Sequence, residues 1–479
     1  PPLKVSLVEI ARPHTPALLK IMDEIVVNAT DHWKTHERGP AAQRVTRIDI
    51  GFDRRDGRVT VRNDGPGIPV VLHAEATRQA GRPVYVAEVA FAWFLAGTNI
   101  DKPKDCVRGG INGLGAKIAN VHSLEFTVET ADAVARRRYT QQFRDRLEVT
   151  GPPQVADLRG LPPAEAAPHT RVTFVPAYEA LGYRVAGGAL AAADAADLDA
   201  WLRLRAHQAA AYAGPRVAVT YNGARCETTG AAALGRLLLT PYGGEAGAAV
   251  VLAATAKAAE EPYRQHPWNI AVVVLPPGKK AGRRAAAQNM TIVNGVLSNK
   301  GSHVQYLKRL LSAAVEDKLR RATKRGAAAG GDKKMSVVET LAGVRLVMCG
   351  AVPGADWGGQ RKDELQVPRE ALERYALPAA FLKRVGDVVA ERLLTGDARP
   401  ARVAHDKYTP ARHGGGAARR HTLLLAAEGD SALTLLRAGL TQSRAGTPPG
   451  GPSFDWCGTI SLQGGSVNAA RAVTALETA

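Results

Sequence analysis

Between Ala17 and Ala29 the apolar residues recur at helical spacing (ALLKIMDEIVVNA), which predicts an amphipathic helix with Asp23, Glu24 and Asn28 off its greasy face. Val45–Gly51 and Arg58–Val61 alternate around an Asp56-Gly57 turn and read as a hairpin. Val84–Leu95 predicts a further helix, while Arg136–Glu148 and Arg171–Val175 alternate like antiparallel strands. Helices packed on a mixed sheet make an α/β (α+β) sandwich the expected fold for residues 1–175. A second stretch, 176–395, carries a helical pattern at Asp197–Ala213, strands at Val217–Tyr221 and Trp268–Leu275, and a strand-to-loop unit at Met290–Val296. A helix at Val304–Arg321 leads into Ala322–Lys334, which reads as a flexible charged loop. Residues 396–420 carry scattered Pro, Gly and Arg and form an expected linker; within 421–479, His421–Ala427 has a buried-strand pattern and Ser431–Ala438 a helical one.

Composition narrows the class. At about 150 residues per domain, 479 residues suggest three domains, and 45% hydrophobic content excludes wholesale disorder. Lys and Arg number 63 against 45 Asp and Glu, a net charge of +18 that favours a polyanionic partner. Cys106, Cys226, Cys349 and Cys457 lie far apart without a C-x-x-C pair, which points to reducing surroundings rather than secretion. No apolar run reaches the ~18 residues of a membrane span. The first residues lack a signal peptide's apolar core and start without Met, as a trimmed chain would.

The strongest chemical signal is Gly109–Lys117, GGINGLGAK. Gly110, Gly113 and Gly115 permit a tight backbone whose N–H groups can cradle phosphates at the start of a helix, and Lys117 adds a point charge. The stretch is neither a G-x-x-x-x-G-K-[ST] loop nor a dinucleotide-binding loop. Asn63–Pro69 (NDGPGIP) is a second glycine-rich turn after a strand. Glu24 and Asn28, four apart, share a helix face; the acid can take a proton from water, and the amide oxygen can meet a Mg²⁺ ion on nucleotide phosphates.

Glu-x-x-x-Asn, then Asn-Asp-Gly-x-Gly-Ile, then Gly-x-x-Gly-x-Gly-Ala-Lys resembles the GHKL (Bergerat) ATPase set. The wording is closer still to eukaryotic-type and viral type IIA DNA topoisomerases. KIMDEIVVNATDH (Lys20–His32), VRNDGPGIPV (Val61–Val70), YVAEVAFAWFLAGTNID (Tyr85–Asp101), GGINGLGAKIANVHS (Gly109–Ser123), MTIVNGVLSNKGSHVQYL (Met290–Leu307), Gln360–Asp363 and LLLAAEGDSALTLLRAGL (Leu423–Leu440) follow the family's order. The resemblance implies a GHKL ATPase domain, an S5-like transducer and the start of a Rossmann-like TOPRIM domain. It implies ATP and Mg²⁺ as cofactors, double-stranded DNA as substrate, a homodimer, no membrane, and a nuclear or viral compartment. Glu24 would be the general base and Asn28 the Mg²⁺ ligand. Asn63 would read adenine, and Thr98 and Asn99 would line the ribose–phosphate side. Gly110, Ile111, Asn112, Gly113, Leu114, Gly115, Ala116 and Lys117 would wrap the phosphates. Gln360 and Lys362 would reach in from the transducer, Lys362 to the γ-phosphate. Lys324, Arg325, Lys333 and Lys334 would contact DNA, and Glu428 would open the TOPRIM metal site.

Departures also count. Ile111 stands where the family has Arg, and Ser461–Gly465 replaces a Pro-Leu-Arg-Gly-Lys run, removing cationic positions. The TOPRIM Asp-x-Asp pair and the cleavage Arg-Tyr are expected beyond Ala479, so the chain reads as the front of a longer enzyme. Arg138-Tyr139 and Arg374-Tyr375 are read as chance pairs. Two other classes remain: another GHKL clamp of the MutL or chaperone kind, which Glu428–Ser431 argues against, and a non-catalytic DNA-binding architectural protein, which the Glu24, Asn28 and Lys362 set argues against.

Overall fold

The computed structural model describes residues 7, 14–94, 106–110, 113–240, 250–275, 289–325, 337–341, 343–359, 361–394, 408–409, 411, 421–441 and 453–462. The chain separates into two compact units, Pro1–Arg399 and Pro400–Ala479.

The first helix, Pro16–His36, begins with Pro at its first turn, where the missing N–H costs nothing. Its stripe of Leu18, Ile21, Met22, Ile25, Ala29 and Trp33 is buried in the core. That core faces a nine-stranded sheet whose main path runs Ala224–Arg225, Ala218–Tyr221, Arg47–Asp53, Arg58–Asp64, His169–Pro176, Ser123–Asp132, Arg137–Arg144, Val149–Thr150. Alternation explains the facing residues. In Arg58–Asp64 the buried positions are Val59, Val61 and Asn63, so the same period that packs two valines turns an amide inward. Burying a Val-sized side chain is worth about 1.5–3 kcal/mol, which offsets the cost of one polar group held at the strand's end.

Two sequence expectations are corrected. Helix Ala192–Ala213 and strand Ala218–Tyr221, read as part of the second stretch, complete the first sheet's core, with Leu198, Leu202, Val219 and Cys226 inside it. Ala218–Tyr221 pairs in parallel with Arg47–Asp53, a contact that local pattern cannot reveal. The boundary after Val175 therefore cuts through one packed core. The charged run at Ala322 is not all loop: helix Ser302–Arg325 extends through Lys324 and Arg325, as suits the good helix formers Ala, Lys and Arg.

The second sheet orders Val296–Leu297, Met290–Val293, Val344–Gly350, Trp268–Val274, Val250–Ala258 and Tyr375–Ala376. Trp268–Val274 is buried at all but Asn269, as suits a strand covered on both faces. One face packs on the helices Ser302–Arg325 and Ala379–Leu394, the other on Gly230–Leu238. A small sheet joins Lys300–Gly301, Glu364–Gln366 and Asp356–Trp357.

In the second unit, Leu423–Glu428 and Cys457–Leu462 pair in parallel, and the helix Gly429–Thr441 lies between them in sequence. Leu423 is 53% exposed, so the buried-strand reading holds poorly there. Among the described residues no helix is long and apolar enough to cross a membrane.

Candidate active site

A cavity of about 440 Å³ opens beside the first helix, with Glu24, Asn28, Asn63, Gly113, Lys117 and Lys362 in its wall. Glu24 is buried. Lys362, 338 residues away, donates to both its oxygens at 3.0 and 3.2 Å. Lys20, one turn earlier on the helix, stands 2.7 Å from Glu24 Oε1. A buried carboxylate bracketed by two cations has its charge matched on both sides and can exchange one partner while keeping the other.

The neighbouring Asp23 takes no part in the cavity wall. Burial opposes its ionisation, but Arg205 and Lys20 bring its carboxyl below the ordinary range. Arg205, itself buried, donates from Nε to Asp23 and from Nη2 to Gly295 O at 2.6 Å. It thereby ties the first helix to the Asn294-Gly295 turn of the second sheet.

Gly113 and Leu114 lead straight into the helix Gly115–Val121. Gly113 has φ +59, which glycine adopts freely. A β-carbon on Gly115 would overlap the Glu24 carboxylate, so only glycine lets loop and acid approach this closely. Lys117 is buried, and burial lowers the pKa of its ammonium group. Among the described residues no acid stands within ion-pair distance of it. Such a cation gains by meeting an anion in the cavity.

Asp31 was not anticipated. It lies two turns beyond Glu24 and accepts from Gly109 N at 2.9 Å and Gly110 N at 2.7 Å. Burial pushes its carboxyl up to about 6, against the pull of those two amides. Its seven-residue spacing from Glu24 places both on one helix face, a signal that was available.

At the opposite end Asn63 is buried, with Nδ2 donating to Asp64 O at 2.8 Å. The turn that follows is pinned by Ile68 N to Thr130 Oγ1 at 2.8 Å and Val70 N to Asp132 Oδ2 at 2.9 Å. His32 Nε2 sits 2.7 Å from Pro66 O, a carbonyl that can only accept, so Nε2 carries the proton. Burial and the nearby His36 lower His32 to about 4, leaving it neutral near pH 7.

Of the residues expected from sequence, the structure thus gathers Glu24, Asn28, Asn63, Gly110, Gly113, Leu114, Gly115, Ala116, Lys117 and Lys362 around one cavity. Thr98, Asn99, Ile111, Asn112, Gln360, Lys333 and Lys334 lie outside the described residues, as do the side chains of Lys324, Arg325 and Glu428. Among the described residues no group of three or more His, Cys, Asp or Glu is placed to hold a metal. Tyr139 and Tyr375 are fully buried, and burial raises both phenols, so neither is set up as an exposed nucleophile.

No protein-family model matches the chain. Its sequence is 40% identical over 477 residues, 98% of the chain, to DNA topoisomerase 2 of African swine fever virus (strain Badajoz 1971 Vero-adapted). It is 26% identical over 452 residues to DNA topoisomerase 2 of Penicillium chrysogenum. The chain spans 37% of the viral relative's length and 25% of the fungal one's. In structure it is similar to the ATPase region of Saccharomyces cerevisiae topoisomerase II, with TM-score 0.60, 21% identity, and coverage of 79% of this chain and 85% of that one. The ATPase and transducer domains of Balamuthia mandrillaris DNA topoisomerase II give TM-score 0.60 at 24% identity, covering 80% and 87%. The fold is that of these ATPase and transducer regions, and the similarity along nearly the whole chain is consistent with the ATPase region of a type II DNA topoisomerase.

Proposed function

We propose that this chain binds ATP with Mg²⁺ in the cavity and hydrolyses it, as the ATPase and transducer part of an enzyme that passes one DNA duplex through a transient break in another. One observation carries the reading: Glu24 and Lys362, from opposite ends of the first unit, meet at 3.0 Å beside a glycine loop that admits no β-carbon at Gly115. Phosphoryl transfer asks a protein for positioning and charge more than for covalent chemistry, and these residues supply both.

In this reading Asn63 takes the adenine end and Lys117 the phosphates. The donor set fits Mg²⁺: Asn28 Oδ1 lies beside Gly110 and offers one neutral oxygen, while the ion's remaining ligands are phosphate oxygens and water. When bound, the ion would neutralise phosphate charge. A terminal phosphate competes with Glu24 for Lys362, and the released carboxylate accepts a proton from the attacking water. Thr98, Asn99, Ile111, Asn112 and Gln360 belong to the same proposal through the family resemblance alone. So do the transducer, the linker at 396–420, the TOPRIM start with Glu428, and a nuclear or viral compartment.

ATP is proposed to close a dimer around the transported duplex. A ligand can do this only by binding the closed form more tightly than the open one. A non-hydrolysable ATP analogue is therefore expected to double the mass seen by light scattering. An unchanged monomer at saturating analogue would refute the gate.

The chain is also expected to bind duplex DNA in a salt-sensitive way without cutting it. Neutralising Lys324, Arg325, Lys333 and Lys334 should weaken binding to all sequences alike, and reduce the log–log salt slope by roughly 0.9 for each phosphate that is no longer neutralised. With supercoiled plasmid, Mg²⁺ and a detergent quench, no protein-linked linear DNA should form. Linear product attached to this chain would mean that a tyrosine within it is the nucleophile.

A further inference from the structure

Lys362 has φ +54, a left-handed backbone that residues bearing a β-carbon seldom adopt. The hydrogen bonds around it explain how the conformation is held. Lys362 N donates to Gly359 O at 3.0 Å, closing a turn. On the other side, Ser298 Oγ donates to Lys362 O at 2.9 Å, and Trp357 Nε1 donates to Ser298 Oγ at 2.7 Å. The direction of this relay is fixed by chemistry. An indole N–H can only donate and a carbonyl can only accept, so the hydroxyl between them must receive from Trp357 and give to Lys362.

The relay is anchored and dry. Ser298 is 0% exposed and Trp357 is 8% exposed. Ser298 N donates to Thr291 O at 2.9 Å, and Thr291 Oγ1 donates back to Ser298 O, so the serine is bolted to the edge of the second sheet. Trp357 pairs with Leu365 across the strands that flank the Lys362 loop, and Lys300 N donates to Asp363 O at 3.2 Å. The main chain of Lys362 is thus wired to the sheet through one hydroxyl, while its Nζ projects to Glu24.

We propose that Ser298 and Trp357 are positioning residues that aim Lys362 at the terminal phosphate of the nucleotide, and so set the preference for a triphosphate over a diphosphate. This rests on the reading of Lys362 given above. Removing the Ser298 hydroxyl leaves the buried Lys362 carbonyl without its donor, and removing the Trp357 N–H leaves that hydroxyl free to turn away from the carbonyl; either way the left-handed turn relaxes and the ammonium group loses its fixed position. Contacts to the base, sugar and inner phosphates come from the first sheet and the glycine loop, and stay in place.

The test uses the whole chain with Ser298→Ala, Trp357→Phe and Lys362→Ala, measuring affinity for a non-hydrolysable ATP analogue and for ADP by competition binding. Trp357→Phe keeps an aromatic ring in the same space and loses only the N–H donor, so it stands even if Ser298→Ala folds poorly. Each relay variant is expected to weaken the analogue on the order of tenfold and leave ADP within about twofold, with kcat falling alongside. A relay that merely supports the fold would weaken both nucleotides together, and that result overturns the proposal. If Lys362→Ala shifts the analogue-to-ADP ratio but the relay variants do not, the positioning role fails while the reading of Lys362 stands. If Lys362→Ala leaves the ratio unchanged, that reading fails, and this proposal with it.

Discussion

Replacing Glu24 with alanine is expected to cut ATP turnover by a factor on the order of 10²–10⁴ while leaving ATP binding intact or tighter. The two halves of this expectation come from the same geometry. Of the two acids described in the cavity wall, Glu24 is the one that pairs with Lys362, and its removal takes away the group that can accept water's proton. Its removal also leaves Lys362 without its carboxylate partner, so this cation in the cavity wall is free for whatever phosphate enters, while Lys20 keeps Asp23 at 3.4 Å. Glutamine at position 24 should behave alike in turnover, since an amide cannot take the proton. Phosphate release under steady state, together with equilibrium binding of ATP, reads both quantities. Near-wild-type turnover in the alanine variant would remove Glu24 from the role of base.

Asp31→Asn is expected to separate stability from affinity. The Asp31 carboxyl titrates near 6 in the folded chain against an ordinary 3.8, because burial outweighs the two glycine amides and the more distant Lys362, with Glu24 adding to the rise. The unfolded chain loses this proton first as pH rises. The favourable contribution of the protonated acid is therefore complete below about pH 4 and lost through about pH 6, and at neutral pH the buried charge costs roughly 3 kcal/mol. Asparagine removes that cost, so the variant should melt no lower than the parent at pH 7, with a flatter stability profile between about pH 4 and 7. It keeps only one acceptor oxygen for the amides of Gly109 and Gly110, so the phosphate loop loosens and ATP affinity should fall on the order of tenfold. Thermal melts across that pH range, paired with ATP binding, check both signs. A lower melting temperature with unchanged affinity would mean that Asp31 serves the fold and not the loop.

What the sequence revealed follows the range of the interactions concerned. The first helix and the Asp56-Gly57 hairpin depend on spacing within a few residues, and both were legible. Ser123–Asp132 was missed although it sits in the sheet between two partners. Its buried Thr130 and Asp132 break the apolar alternation because they serve the turn at Ile68 and Val70. Ala218–Tyr221 was read as a strand but placed in the wrong layer, since its partner lies far back in the chain. Around the cavity, Glu24, Asn28 and Lys117 could be singled out because their motifs are local, whereas Asn63 and Lys362 were singled out through the family resemblance. Ser298 and Trp357 carry no local signal of their role: a serine after a turn and a lone tryptophan become a relay only when the sheet brings them together.

The parallel pairing of Ala218–Tyr221 with Arg47–Asp53 also constrains how the protein is born. Asn222 brackets Phe52 through two side-chain bonds, Oδ1 accepting from Phe52 N at 2.9 Å and Nδ2 donating to Phe52 O at 3.1 Å, across 170 residues of chain. At ribosomal rates of about 5–20 residues per second, strand Arg47–Asp53 waits roughly 10–30 s for its neighbour. During that interval it presents an open edge of unpaired backbone N–H and C=O groups, the kind of surface that other nascent chains can pair with. A helper that shields this edge on the ribosome would raise the yield of folded protein, whereas a shorter chain ending near Val175 would keep the exposed edge for its whole lifetime.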